Sequence, residues 1–150
     1  MPPAKRTAVD AWEALFRAQV SILRDITADF PEPLTIVEYD VLFNLSRLPN
    51  HSARPRDLTP LLLLSQPSVS RMIDRLAERG LVTKHPDPDD GRGIMVRLTD
   101  DGYELFRRVA AVHSDSIARR FGDRLSEEEL RTLITLCDRL RIGGGDSAPA

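Results

Sequence analysis

Residues 61–102 read LLLLSQPSVSRMIDRLAERGLVTKHPDPDDGRGIMVRLTDDG, and the order of signals in this stretch decides the fold. Val69, Met72, Ile73 and Leu76 recur at helical spacing, which predicts a helix over about 66–79 with those four side chains as its buried stripe. Ser65 is the expected N-cap, Pro67 falls in the first turn where its missing donor does little harm, and Gly80 is the expected residue beyond the C-cap. "LVTKH" (81–85) and "GIMVRL" (93–98) are short runs of strand formers. In the second run Ile94, Val96 and Leu98 alternate with Met95 and Arg97, the mark of a half-buried strand. "HPDPDDGRG" (85–93) lies between them as an acidic tip rich in proline and glycine. Thr99 is placed to cap whatever helix follows. With a short helix expected at about 55–63, the sequence reads helix, helix, strand, strand, which is a winged helix-turn-helix.

On either side the pattern is helical. Trp12, Leu15, Phe16, Ile22, Leu23 and Ile26 predict an amphipathic helix over about 8–29, broken by "FPEP". Leu34, Val37, Val41, Leu45 and Leu48 predict a second over about 34–48, ended by "LPNHSARP". After Thr99, a helix over about 100–121 carries Phe106, Val109, Ala110, His113, Ile117 and Phe121. "SEEE" (126–129) is a capping box that opens a last helix with Leu130, Leu133, Ile134, Cys137 and Leu140 in its seam. Residues 1–7 and 143–150 are small, polar and rich in Pro or Gly, and are expected to be disordered. The fold class is therefore mainly α with a small β-wing. The outer helices carry more apolar surface than one small domain covers, so they are expected to pack against a second copy of the chain.

The whole chain agrees with this. Its 150 residues make one ordinary domain, 41% hydrophobic and 29% charged, a globular composition. No apolar run reaches the roughly 20 residues needed to span a bilayer. The N-terminal stretch has no apolar core of a signal peptide, and one cysteine cannot build a disulfide framework, so a cytoplasmic protein is expected. Net charge is −2, yet residues 54–97 hold eight Lys/Arg against six Asp/Glu, a mildly basic middle between acidic ends.

In a helix-turn-helix the second helix lays its N-terminal turns in the major groove. Off the buried stripe, those turns carry Gln66, Pro67, Ser68, Ser70, Arg71 and Arg75. Glutamine can pair with adenine, arginine with guanine, and serine with phosphate or base edges. An ordinary surface helix accounts for the same residues, with Arg71 beside Asp74 and Arg75 beside Glu78 as solvated pairs. The flanking helix and hairpin favour the first reading.

The same stretch resembles the signature of the MarR family of bacterial transcription regulators. The matching residues are Val69-Ser70-Arg71, Asp74 to Val82, the wing from Asp87 to Arg92, and Leu98 to Gly102. The resemblance implies a homodimer whose N- and C-terminal helices (8–33 and 100–142) interlock, and whose winged lobes (34–99) bind a pseudo-palindromic operator in double-stranded DNA. It adds the wing's Lys84, Asp90 and Arg92 to the DNA-binding set. It implies that the Asp90 carboxylate holds the Arg92 guanidinium, which enters the minor groove. Asp87 and Asp89 are expected to face solvent and to lower non-specific affinity. There are two departures from the family pattern. Pro60 lies inside the short supporting helix and is expected to delay or kink it. Gly91 stands where many members carry a second arginine.

The family also implies release from DNA by a small aromatic or anionic effector. Trp12, Phe16 and His113 are the candidate pocket residues, with core packing as the competing reading for each. Cys137 sits at helical spacing with leucines and is expected to be buried and inert rather than a redox sensor. The three histidines show no metal-ligand spacing with it, and no phosphate loop or nucleophile with a base is recognisable. No cofactor, metal or enzymatic activity is expected. Two functions of different class remain: a dimeric, effector-released DNA-binding repressor, and a winged-helix module that binds another protein.

Overall fold

The computed structural model describes residues 2–63 and 68–141. Contacts divide the chain into two units, residues 1–112 and 113–150. The first opens with α1 (Pro3–Ala28). This helix begins at Pro3, not near residue 8, so residues 3–7 are not the disordered lead expected. Proline at the first helical position has the right φ already, and Ala4, Lys5 and Arg6 are good helix formers. No α1 side chain is buried.

Helix α2 (Ile36–Arg47) starts with a capping box that the sequence reading missed. The Glu38 N–H donates to Thr35 Oγ1 at 3.2 Å and the Thr35 N–H donates to Glu38 Oε2 at 2.9 Å. Such a cap contributes about 1 kcal/mol. Leu34 therefore precedes the helix and is buried beside it rather than within it. After α2 comes a 3-10 turn, Pro49–His51, in which Asn50 and His51 take φ of 55° and 51°. Both types tolerate the left-handed region better than most. The His51 ring stacks on Tyr103, with centroids 5.1 Å apart.

That turn delivers β1 (Ser52–Ala53), a strand the reading did not anticipate. Helix α3 (Pro55–Leu58) follows and tightens into a 3-10 turn at Thr59–Leu61. Pro60 causes this: without an N–H it cannot continue the α ladder, so the expected helix over 55–63 stops early. The buried Asp40 of α2 holds the far end, its Oδ2 accepting the Leu63 N–H at 2.7 Å.

Helix α4 (Val69–Glu78) starts later than the expected 66. Ser68, not Ser65, is its cap: the Arg71 N–H donates to Ser68 Oγ at 3.2 Å. Ser65 and Pro67 lie outside the described residues. Met72, Ile73 and Leu76 are buried as expected, each worth about 1.5–3 kcal/mol of apolar burial. The exit is a Schellman motif. The Gly80 N–H donates to Ala77 O and the Leu81 N–H to Leu76 O, both at 3.0 Å, with Gly80 at φ +72°.

Strands β2 (Val82–Asp87) and β3 (Asp90–Leu98) are longer than expected, which leaves only Pro88 and Asp89 as the tip. The sheet order is β1-β3-β2, all antiparallel, with Ser52 opposite Arg97 and Val82 opposite Leu98. Pro86 is tolerated because β2 is an edge strand, and the register shifts between Pro86 and Asp87. The core gathers Val41, Leu42 and Leu45 of α2, Leu58, the α4 stripe, Val82, Val96 and Leu98 of the sheet, and Leu105 and Val109 of the helix that follows it.

Helix α5 (Asp100–Gly122) is capped by Thr99, whose Oγ1 accepts the Gly102 N–H at 2.9 Å. It continues into the second unit, where α6 (Glu127–Arg141) opens with the expected box: the Ser126 N–H donates to Glu129 Oε2 at 2.8 Å. Ile134 and Leu140 are 61% and 68% exposed, and Cys137 is half-buried rather than buried, because no described residue closes over this part of the seam. Among the described residues no helix is long and apolar enough to cross a membrane.

Gly102 decides how closely α5 approaches the α4 exit. A Cβ there would lie 2.1 Å from the Leu81 carbonyl oxygen, a backbone atom that cannot move aside without disturbing the turn. Gly102→Ala is expected to lower stability by about 1–3 kcal/mol, the usual range for overpacking. Thermal unfolding of the variant against wild type checks it; an unchanged Tm would mean that α5 shifts freely.

Candidate nucleic-acid interface

The α4 cap and exit hold the helix so that Met72, Ile73 and Leu76 turn inward while Ser70, Arg71, Asp74 and Arg75 turn to solvent. Ser68 Oγ accepts a helix N–H, and among the described residues its hydroxyl has no acceptor of its own. The first-turn N–H groups of Val69 and Ser70 have no partner within the helix, the usual condition of an α-helix start. Among the described residues the Arg71 guanidinium has no ion pair. Arg75 Nη2 lies 3.6 Å from Met72 Sδ, a weak contact along the helix. Gln66 and Pro67, the other two predicted contacts on this element, lie outside the described residues.

The solvated pair Arg71–Asp74 does not form. Asp74 instead accepts from Lys84 of β2, Nζ to Oδ1 at 2.7 Å. Lys84, predicted as a DNA contact, thus ties the wing strand to α4. A second tie runs from the α4 C-terminus to α2: Arg79 Nη1 lies 3.1 Å from Glu38 Oε1, and its Nη2 donates to the Pro33 carbonyl at 2.9 Å.

The wing differs most from expectation. Asp90 does not hold the Arg92 guanidinium; its Oδ1 accepts the Arg92 backbone N–H at 3.1 Å. A short aspartate side chain reaches the N–H two residues on without leaving the turn, and this outcompetes a longer reach to a mobile guanidinium. Arg92 is exposed, and among the described residues its side chain has no partner.

Asp87 does not face solvent. It is 4% exposed and paired with Arg54, the residue just before α3, through Arg54 Nε to Asp87 Oδ2 and Arg54 Nη2 to Oδ1 at 3.1 Å. The Asp87 Oδ1 also accepts the Asp89 N–H at 3.0 Å. Asp89 keeps an exposed carboxylate, yet it too meets Arg54, Nη2 to Oδ2 at 3.1 Å. Asp57 of α3 lies 3.8 Å from the same guanidinium. The register shift at Pro86/Asp87 turns the aspartate inward. Gly93 makes room for it: a Cβ on Gly93 would meet Asp87 Cβ at 3.2 Å. Sequence reasoning missed Arg54. The available signal was the tip's own imbalance, three carboxylates against one arginine, which calls for a cation from elsewhere.

The Arg54 hydrogen bond, with the Asp89 N–H behind it, holds the Asp87 carboxyl at about 2, below its ordinary 3.8, and the same pairing raises Arg54 further above its already high value. Burial lowers His113 and raises Tyr39.

Of the predicted effector residues, Trp12 and Phe16 stack on each other along α1, centroids 5.5 Å apart and 17° between planes, and are 62% and 52% exposed. His113 belongs to the second unit, half-buried on α5. The first unit also has an aromatic cluster that the sequence reading did not assemble. Tyr39 lies 5.3 Å from Phe106 and 6.2 Å from Phe43, with Arg47 above the Phe43 ring at 5.3 Å and Arg107 above Tyr103 at 6.0 Å.

A model of the MarR family matches residues 32–93, the lobe that carries α2, α3, α4 and the wing. The crystal structure of AbsC, a MarR family transcriptional regulator from Streptomyces coelicolor, superposes with a TM-score of 0.71 at 30% identity, covering 88% of this chain and 95% of that one. The chain belongs to the MarR family of transcriptional regulators. A second MarR-family structure from the same organism, Sco3205 in complex with DNA, gives a TM-score of 0.75 at 27% identity over 98% of this chain and 92% of that one. The uncharacterised HTH-type transcriptional regulator YhbI of Bacillus subtilis (strain 168) is 30% identical over 108 residues, 70% of this chain and 66% of that protein. The residues matched by the family model include both members of the Arg54–Asp87 pair.

The depressed Asp87 value gives a pH dependence of definite sign. A carboxylate with a folded value below its unfolded one stabilises the fold above its ordinary range and loses that contribution as pH falls through the folded value. The Tm difference between wild type and Arg54→Gln is expected to be full at neutral pH and to shrink as pH falls from about 4 to about 2. Melting curves across that range check it. A gap that is constant with pH would assign the stabilisation to a group other than Asp87.

Proposed function

We propose that the chain is a homodimeric, sequence-specific DNA-binding regulator, a cytoplasmic repressor of a pseudo-palindromic operator, released by a small aromatic or anionic effector. The observation that carries the DNA reading is that two exposed guanidiniums, Arg71 on the solvent face of α4 and Arg92 beside the wing tip, have no ion partner among the described residues. Three neighbouring cations are engaged elsewhere: Lys84 with Asp74, Arg54 with Asp87, Arg79 with Glu38. In this reading Arg71 and Ser70 meet base edges in the major groove, Ser68 and the α4 N-terminus meet phosphate, and Arg92 enters the minor groove, where a narrow A·T stretch concentrates negative potential. Arg75 belongs to the same surface. That Sco3205 was crystallised with DNA supports the assignment.

Dimerisation is supported by the uncovered apolar faces. The α1 stripe with Trp12 and Phe16, and the α6 seam with Ile134 and Leu140, are each more exposed than a lone chain in water favours. Helices 3–28 and 100–141 are the dimerisation region in this reading, and the dimer two-fold sets the half-site spacing. For the effector, the candidates are Trp12 and Phe16 in the first unit, His113 in the second, and the Tyr39, Phe43 and Phe106 rings with Arg47 over Phe43, a chemistry suited to an aromatic anion.

Selection of bound sequences from a random duplex pool tests recognition, palindromy and spacing together. On the selected duplex, log affinity is expected to fall linearly with log salt, by about 0.9 per phosphate neutralised. No preference over random DNA at physiological salt would sink the regulator reading in favour of a protein-binding winged helix. Arg71→Ala is expected to weaken binding by about 1–3 kcal/mol and to broaden the preferred sequence. Arg92→Ala is expected to weaken binding with oligomeric state and Tm unchanged; a large fall in Tm would make Arg92 structural instead.

A further inference from the structure

The wing's three aspartates look wrong for a surface that meets phosphate, and the structure uses two of them internally. Arg54 emerges at the end of β1, which pairs with the centre strand β3, and its guanidinium reaches a residue 33 positions on. It grips the buried Asp87 with two nitrogens and the tip residue Asp89 with one, while Asp57 lies 3.8 Å away on the helix side. The Asp89 N–H closes back on Asp87, and Asp90 closes on the Arg92 N–H. Two backbone N–H groups of the tip, those of Asp89 and Arg92, are thus held by carboxylates, and Asp87 and Asp89 are tied through Arg54 to the start of α3. Lys84–Asp74 supplies the other tie, from β2 to α4.

We infer that Arg54 is a positioning residue for DNA contact: it sets the posture of the wing, and so the distance between Arg92 and the Arg71 face of α4, without touching DNA itself. This rests on the DNA-binding reading above. A two-pronged guanidinium–carboxylate pair is directional, since both N–H groups must align with both oxygens. A bidentate pair onto a buried acceptor therefore fixes the angle of the tip as well as its distance. The same contact offsets the charge of the buried Asp87; Arg54 and Arg92 still face three carboxylates, Asp87, Asp89 and Asp90, so what Arg54 supplies is the posture of Arg92 and not a positive tip. Asp89 is accordingly a part of the clamp, not a bare charge that repels non-specific DNA.

The test is a double-mutant cycle on the duplex selected for wild type. Arg54→Gln is expected to lower affinity about tenfold, the scale of one charged contact. On an Arg92→Ala background the same change is expected to have little effect, because the posture it sets has nothing left to deliver. Groove-specific footprinting gives a second readout: in Arg54→Gln, minor-groove protection at the wing is lost while major-groove protection at α4 persists. Asp89→Asn, an exposed change that leaves the buried Asp87 pair in place, is expected to lower specific affinity by a smaller factor, and again only when Arg92 is present.

Several results overturn the inference while leaving DNA recognition standing. One is an Arg54→Gln protein that binds as tightly as wild type. Another is an equal loss with and without Arg92, which would make Arg54 a direct or purely structural contributor. A third is an Asp89→Asn protein that binds more tightly, which would return Asp89 to the role of a repelling charge. A wild type that prefers no duplex overturns the DNA reading itself, and the role of Arg54 in it.

Discussion

The backbone of Leu81 is held from both sides. Its N–H closes the α4 exit on Leu76, its carbonyl accepts the Thr99 N–H at 3.1 Å, and Gly102 of α5 passes so near that no Cβ fits between them. The last turn of α4, the start of β2 and the first turn of α5 are therefore fixed to one residue. The Thr99 hydroxyl completes the joint by donating to the Gly80 carbonyl at 2.7 Å while accepting from Gly102. Neither the solvent face of α4 nor the base of the wing can rotate without breaking these short-range bonds, each made by groups that have little alternative once buried.

Helix α2 does for the other end of the lobe what Leu81 does for the exit. Glu38 caps its own helix with one oxygen and meets Arg79 with the other, while Asp40 holds the Leu63 N–H. Two carboxylates two residues apart on one helix thus hold the chain on either side of the recognition element. Tyr39 lies between them in sequence, with its ring in the aromatic cluster. A ligand that reorganised that cluster would act on the helix that carries both anchors.

Much of this was legible in the residues. Thr99, Gly80 and the Ser126–Glu129 box announce helix ends by chemistry that works within four residues, and the structure has all three. The alternation of Ile94, Val96 and Leu98 announces a strand, of which Val96 and Leu98 are buried and Ile94, nearer the tip, is exposed. What was not legible depends on partners far along the chain. Strand β1 is two residues long and exists only because β3 passes beside it. Arg54 and Asp87 are 33 residues apart, and nothing local tells a buried aspartate from a solvated one in "PDPDD". Ser65 and Ser68 are equally good caps by type, and the choice went to the one whose hydroxyl meets the Arg71 N–H. In the candidate site, Arg71 and Arg92 could be chosen by residue type and position. The roles of the acids could not, because a carboxylate's role follows from the cation it meets.

The sheet has a property that follows from its two edges. On one side β1 offers two residues, too few to template another strand. On the other, β2 carries Pro86, which has no N–H to give, followed at once by a break in register. Open strand edges invite pairing with any passing extended chain. Along the exposed hairpin the β2 edge therefore presents no uninterrupted row of donors and acceptors. Wings of neighbouring molecules crowded along one length of polymer would slide past each other instead of joining into a continuous ladder.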